Sequence, residues 1–442
     1  MGSPALIIPN ATRQQEMDNM KILLISPPFY RFLGSVSNDV RLSLGYLSAV
    51  LRKLGHTVAQ FNPDCGTEYS TQKELFDNTD RFAKDIVKPH HAVYQECYNT
   101  IDNFAPDIVG MTVLSGNVIQ TEILAKYCHD NNIHTWVGGP MATLALDKLM
   151  EYPFYDQLIP GEAEEIMARV IRNPKSRVIV GMPTNNLDSI PYPDRDNYIG
   201  PNCDKVTRSG LISMRGCPFK CKYCCHWIMG GQIRYRSTDN IMGELELLHD
   251  RYNQRFIRFY DDTFVLNRRR VIDLCAAMIK KDWDMDFLVE TRVQGLDETI
   301  ISMMKRAGLV KIKLGIESGS QRMLDEYKQG TKLETIREVI PMIKKAGIEV
   351  HGNWLYGFPN ETDDDLRATI SLIHELDCDW NTISSLAPYP GTELFEQLDE
   401  KSQNNYKLFY HNVKQPVMNK NLSMDLIEEL LAVNEDKKKV FK

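Results

Sequence analysis

At 442 residues with 43% apolar side chains, the chain exceeds one hydrophobic core and has material for two or three domains. A net charge of -7 argues against a nucleic-acid polymer as partner, and no apolar run approaches the roughly 18 to 20 residues that span a bilayer. Ten thinly spread cysteines, with no secretory leader at the N-terminus, point to a reducing cytoplasmic setting rather than a disulfide framework.

In chain order, residues 1–19 read as a tail before Met20, a second possible start. Residues 21–25 predict a buried strand ending at Ser26, Pro27 and Pro28, residues 42–54 a helix stopped by Gly55, and residues 57–61 the next strand. A strand at 107–113, a helix at 118–131 and a strand at 134–137 continue the alternation. This predicts an α/β architecture, with a Rossmann-like doubly wound domain over 20–190 whose ligands sit at the carboxyl edge of a parallel sheet. The loops there carry Ser115, Gly116, Asn117, Gly138, Gly139, Pro140, Gly161 and Glu162, and glycines let a backbone approach a ligand closely. No G-x-G-x-x-G follows the first strand, so a dinucleotide is poorly supported.

Residues 66–105 break the pattern and read as a helical insertion; His90, His91 and Cys97 match no common metal spacing. Residues 191–207, with Pro191 and Pro193, form a linker. Strands are then predicted at 211–214, 256–260, 287–290, 310–315, 349–356 and 381–386, separated by helices near 240–252, 268–281, 297–307, 320–328, 332–346 and 363–376. Six such units over 208–392 make a partial (β/α)6 barrel with its chemistry at the carboxyl ends of the strands. In the C-terminal region, 393–442, helices fall at 394–398 and 426–433, and Lys437, Lys438 and Lys439 form a solvated end. Tyr406, Phe409, Tyr410 and His411 lie over the barrel mouth, where they either touch substrate or pack.

The chemistry is concentrated in Cys217, Cys221 and Cys224, a C-x3-C-x2-C triplet in one loop. Three close thiolates can hold three irons of a four-iron cluster and leave the fourth iron for a small molecule. The alternative is a zinc knuckle, with Cys225 or His226 as fourth ligand, although neighbouring residues cannot easily turn both side chains onto one ion.

The triplet, with the aromatic Tyr223 before its third cysteine, resembles the signature of the radical S-adenosylmethionine (SAM) enzymes. In that family SAM chelates the open iron of a 4Fe-4S cluster and is cleaved to a 5′-deoxyadenosyl radical. Over roughly 20–400, the landmarks Ser26 to Pro28, Leu44-Gly45-Tyr46-Leu47, residues 106–110, Gly138 to Pro140, residues 160–162 and residues 187–191 resemble the cobalamin-dependent branch. By that resemblance Pro28, Leu44, Gly45, Ser115, Gly116, Asn117, Gly138, Gly139, Pro140, Gly161 and Glu162 would contact cobalamin. There is no D-x-H-x-x-G, and His56 reads as the start of a strand, so no histidine is expected on cobalt. Asn38, Asp39 and Arg41 would lie under the corrin or in a solvated loop.

The same resemblance assigns SAM to Tyr223, Asp261 or Asp262 for the ammonium, Arg292 for the carboxylate, and Glu317 with Ser318 for the ribose or methionyl portion. Glu290 joins that set or forms an ion pair with Arg292 at a strand end, and Tyr356 falls in a landmark that shapes the adenine wall. The implied activity is methyl transfer from methylcobalamin to an unactivated carbon, or to phosphorus, of a small molecule or peptide. A flavodoxin or ferredoxin would supply electrons. A radical rearrangement, ring contraction or cyclisation without methyl transfer, and a non-catalytic cobalamin or iron–sulfur sensor, are the alternatives.

Overall fold

The computed structural model describes residues 19–230 and 232–433, so most of the N-terminal tail and the Lys437 to Lys439 end lie outside the described residues. The first sheet contains β1 (Lys21–Ile25), β2 (Thr57–Phe61), β3 (Ile108–Thr112), β4 (His134–Gly138) and β5 (Gln157–Ile159) in the order β2-β1-β3-β4-β5, with every pair parallel. The strands are short apolar runs buried on both faces, as a parallel sheet covered by helices requires. The winding reverses between β1 and β3, and doubly wound sheets open a ligand crevice at the carboxyl ends beside such a reversal.

One face packs Leu44 and Leu51 of the Leu42–Lys53 helix, with Met167 and Val170 of the Met167–Arg172 helix, against Ile22, Leu24 and Trp136. The other is covered by the Ala92–Phe104 and Val118–Asp130 helices. The Ala92–Phe104 helix corrects part of the sequence reading. It is the crossover from β2 to β3 that parallel pairing demands, so only the polar stretch before it is inserted. That stretch forms two short helices, Gln72–Asp77 and Thr79–Asp85. It straps onto the far part of the chain: Thr79 Oγ1 donates to the Asn412 carbonyl at 2.6 Å, and Lys414 pairs with Asp77 at 2.6 Å. His91 caps the crossover helix by accepting from Val93 N, and Cys97 is fully buried within it.

The second half contributes β6 (Gly210–Leu211), β7 (Met214–Arg215), β8 (Arg234–Tyr235), β9 (Phe256–Phe259), β10 (Asp286–Thr291), β11 (Leu309–Glu317), β12 (Glu349–Tyr356) and β13 (Trp380–Ser385). Six of these form a parallel sheet in the order β6-β9-β10-β11-β12-β13, while β7 and β8 pair as a separate antiparallel ribbon. The order never reverses, which is the winding of a barrel rather than of a doubly wound sheet. Alternation along β11 sets the two faces: Ile312, Leu314 and Ile316 pack under the helices, whereas Lys311, Lys313 and Glu317 point to the opposite, polar face.

The predicted strand at 211–214 is split. The amide and hydroxyl of Ser213 are both taken by Asp261, which bends the chain between β6 and β7. The C-terminal segment joins the two halves: Tyr406, Phe409 and Tyr410 are buried in the core of the first sheet, and Ile427 and Leu430 in that of the second. Those three aromatics therefore pack and do not face a substrate. No helix among the described residues is long and apolar enough to cross a membrane.

Candidate functional site

Cys217, Cys221 and Cys224 lie on the loop between β7 and a short helix at His226–Gly230. The loop is held from several directions. Asp262 accepts from Gly216 N at 3.0 Å, Gln329 accepts from Lys220 N at 3.0 Å, the Tyr327 carbonyl accepts from Lys222 N at 3.1 Å, and Cys224 N donates to the Cys221 carbonyl at 3.0 Å. Burial, followed by the neighbouring Cys225, Cys221 and Cys217, pushes the Cys224 thiol up to about 12. Thiolates crowded together in this way need a nearby positive charge, which iron supplies. Among the described residues no three His, Cys, Asp or Glu side chains close around a point as one metal ion requires. In a four-iron cluster each of the three thiolates would bind a separate iron. His226, considered as a zinc ligand, pairs its Nδ1 with Asp262.

The strand ends of the second sheet surround this loop, and they sort the expected SAM contacts. Asp261 is buried and its oxygens accept from Ser213 N at 2.7 Å, from the Ser213 hydroxyl and from Met214 N at 3.2 Å, with Arg270 at 3.4 Å. It fixes the bend before the loop and is spent on that task. Asp262 faces the loop; burial raises its carboxyl, but the hydrogen bond and charge of His226, together with the Gly216 amide, outweigh burial and hold it below the usual range. Glu290 does not pair with Arg292. Arg258 donates to it at 2.9 Å and Lys313 lies at 3.5 Å, and these two cations outweigh burial to keep its carboxyl low.

Arg292 reaches the cysteine loop itself, with Nη1 donating to Cys221 Sγ at 3.3 Å. Glu317 sits at a β-bulge with φ of 74°, a strained conformation for a residue with a side chain, and pairs with Lys328 at 2.8 Å. Tyr223 packs against Phe358 with ring centroids 6.1 Å apart. Two expected contacts turn away from the site. Ser318 is fully buried, accepts from Ser320 N and shares a hydrogen bond with Thr369; Tyr356 is fully buried and donates its hydroxyl to the Val413 carbonyl at 2.7 Å. Both are framework residues.

A cavity of about 320 Å³ opens between the two sheets. Leu24, Gly110 and Trp136 line its inner end, and Met214, Arg215, Tyr260 and Asp262 its other side. Leu44, Gly138, Gly139, Gly161 and Glu162 of the expected cobalamin set line it; Pro28, Gly45, Ser115, Gly116, Asn117 and Pro140 do not.

Several of the latter have local tasks. A side chain at Gly45 would meet the Asp194 carbonyl at 2.9 Å, so this glycine admits the linker; one at Gly116 would meet the Phe29 ring at 2.6 Å. Buried Asn117 donates to the Pro27 carbonyl at 3.2 Å and accepts from Leu114 N at 2.7 Å, joining two loops at the sheet edge. Pro140 starts a short helix. Tyr46, Gly110, Trp136 and Tyr260 also line the cavity and were not expected as contacts, although Tyr46 and Gly110 lie within two of the landmark segments.

Of the loop under the sheet edge, Asn38 donates to the Gly66 carbonyl at 3.0 Å, Asp39 pairs with Arg258 at 3.2 Å and Arg41 lies 3.7 Å from Asp64. His56 stands at the opposite, amino edge, where its Nδ1 accepts from Met20 N at 3.3 Å.

Residues 211–373 match the Radical SAM superfamily. The chain is 29% identical over 412 residues to an uncharacterized methyltransferase of Pyrococcus horikoshii, covering 86% of this chain and 83% of that protein. It is 26% identical over 334 residues to the anaerobic magnesium-protoporphyrin IX monomethyl ester cyclase of Rubrivivax gelatinosus, covering 68% of this chain and 60% of the cyclase. Its fold is similar to that of the radical S-adenosylmethionine methyltransferase TsrM from Kitasatospora setae, solved with cobalamin and a 4Fe-4S cluster bound, with a TM-score of 0.63 at 16% identity over 86% of this chain and 78% of that one. The three-cysteine loop falls inside the matched stretch, so residues 211–373 carry a radical SAM domain.

Proposed function

We propose that this protein is a cobalamin-dependent radical SAM methyltransferase that methylates an unactivated carbon, or phosphorus, of a small molecule or peptide. The observation that carries this reading is the cavity shared by the two sheets, which runs from the carboxyl edge of the first sheet to Asp262 beside the cysteine loop. When bound, the cluster with SAM supplies a 5′-deoxyadenosyl radical and cobalamin supplies the methyl group.

Cys217, Cys221 and Cys224 hold the cluster. Asp262 keeps a lone pair on each oxygen for the SAM ammonium, since among the described residues it engages Gly216 N with one oxygen and His226 with the other. Tyr223 and Glu317 border the nucleoside side of SAM. The apolar inner end of the cavity, at Leu24, Gly110 and Trp136, suits the nucleotide base of cobalamin, and Gly138, Gly139 and Gly161 give its backbone-lined wall. Burial between the sheets keeps water from the radical. A flavodoxin-like or ferredoxin-like donor delivers the electron. The similarity to a cyclase favours one second reading, radical ring formation without methyl transfer.

The stoichiometry of SAM products separates the two. Methyl transfer with radical generation yields S-adenosylhomocysteine and 5′-deoxyadenosine together, whereas the second reading yields only 5′-deoxyadenosine.

A further inference from the structure

Arg292 is 7% exposed and its guanidinium is held at Nε, at Nη2 and across one face. Nε donates to Gln294 Oε1 at 3.2 Å, Nη2 donates to Thr331 Oγ1 at 2.9 Å and to the Gln329 carbonyl, and the group lies 4.0 Å from the centre of the Phe219 ring. Gln294 is itself anchored, donating to the Gly330 carbonyl at 2.7 Å. What this scaffold presents to the cysteine loop is one N–H of Nη1, aimed at Cys221 Sγ at 3.3 Å. The geometry meets the sulfur hydrogen-bond distance, and Cys221 is itself buried.

We propose that Arg292 is a positioning residue for the cluster: it donates a hydrogen bond to the Cys221 sulfur and raises the reduction potential of the cluster bound there. The proposal rests on the reading of Cys221 as a cluster ligand. Reduction adds an electron to a cluster whose ligand sulfurs already carry negative charge. A hydrogen bond to a sulfur, and a cation beside it, stabilise the reduced form more than the oxidised one. The four remaining contacts make the arrangement pre-formed, so the donor need not reorganise when the electron arrives. A guanidinium that served only to knit the 329–331 turn to β10 would need none of its donors on sulfur. The same Nη1 has a second N–H without a partner in these contacts, so the arginine can hold the sulfur and still meet a SAM carboxylate.

The test is a redox titration of the anaerobically reconstituted full chain, followed by electron paramagnetic resonance and run without SAM so that carboxylate binding plays no part. At a fixed solution potential near the native midpoint, Arg292→Gln is expected to show a reduced-to-oxidised ratio about tenfold lower, a midpoint about 59 mV lower for a one-electron couple. Arg292→Lys keeps the charge without the rigid fork and falls between the two. Thr331→Val, which removes one anchor of the guanidinium, shifts the midpoint the same way by less. A native midpoint in Arg292→Gln at full iron loading overturns the proposal. If that variant retains no iron, native midpoints in both Arg292→Lys and Thr331→Val overturn it instead. A native chain that assembles no 4Fe-4S cluster sinks the cysteine assignment, a distinct failure.

Discussion

Arg215 donates to Glu162 at 2.9 Å and to Glu164 at 2.7 Å, so the strand that enters the cysteine loop is tied to the turn that follows β5. Arg234 of the neighbouring β8 donates to the same Glu162 at 2.9 Å and to the Thr184 carbonyl at 2.8 Å. One carboxylate thus holds both strands of the β7–β8 ribbon against the first sheet. Burial raises the Glu162 carboxyl, but the Arg234 hydrogen bond and the Arg215 charge outweigh it and keep the group below its ordinary range.

Replacing Glu162 should therefore be costly. Glu162→Ala leaves Arg234, whose side chain is 4% exposed, without its counter-charge, and the expected loss is about 3 kcal/mol of unfolding free energy. Glu164→Ala, which leaves Arg215 paired with Glu162, should cost less. Chemical denaturation of the two variants checks the order. Equal, sub-kilocalorie effects would show that the ribbon is held by packing alone.

Cys217→Ala, Cys221→Ala and Cys224→Ala are each expected to lose most iron and all SAM cleavage while the first sheet stays folded. Cys225→Ala should keep a full cluster. Iron content and visible absorbance after anaerobic reconstitution read both outcomes. Iron lost from Cys225→Ala and retained by Cys224→Ala contradicts the ligand assignment.

The cavity can be filled at one glycine without disturbing the chain. A Cβ on Gly138 would come no closer than 3.4 Å to any atom, at the Ile159 carbonyl, and its backbone is not left-handed. Gly139, by contrast, has φ of 94° and a Cβ there would meet Thr112 Oγ1 at 2.6 Å, so its substitution strains the backbone whatever binds nearby. Gly138→Val should keep the native melting temperature within a few degrees and retain at least tenfold less cobalamin after reconstitution. Native cobalamin retention in that variant would move the cofactor out of this cavity.

Glu361 gives a pH dependence with a defined sign. It is 4% exposed and accepts from Gly357 N at 2.6 Å and Phe358 N at 3.2 Å, while its other oxygen is buried without a partner among the described residues. Burial pushes its carboxyl up to about 7, against the pull of those two amides. A raised carboxyl favours the protonated fold, so its stabilisation is complete below the unfolded value near pH 4.3 and is lost as pH rises through about 7. Glu361→Gln, neutral throughout, should gain on the native protein between about pH 5 and pH 8, by up to about 3 kcal/mol. Unfolding curves collected across that range measure it, and parallel pH profiles for the two proteins would contradict it.

The long elements were legible because their patterns are local. The 268–281 and 363–376 helices and the 349–356 strand carry the expected bounds, since periodicity and caps fix them within the segment itself. β5 was missed because three residues give no period. The dipeptide Asp261-Asp262 shows where sequence reasoning stopped: both carboxylates end one strand, and only the pairing of Asp261 with Ser213, 48 residues earlier, decides which one is left for a ligand. Ser318 and Tyr356 sit in recognisable landmarks, yet their partners Thr369 and Val413 come from other elements, and burial against these partners makes them framework. Arg292 was expected beside the SAM carboxylate. Its contact to a sulfur 71 residues away had no signal in the chain.

Methyl transfer is decided by incubating the anaerobically reconstituted protein with SAM and a low-potential reductant, with and without cobalamin, and quantifying the two SAM products by mass spectrometry. A cobalamin-dependent methyltransferase gives 5′-deoxyadenosine whenever the cluster is present, and S-adenosylhomocysteine only when cobalamin is present as well. Production of 5′-deoxyadenosine with no S-adenosylhomocysteine in cobalamin-loaded protein would contradict methyl transfer and leave radical ring formation as the function.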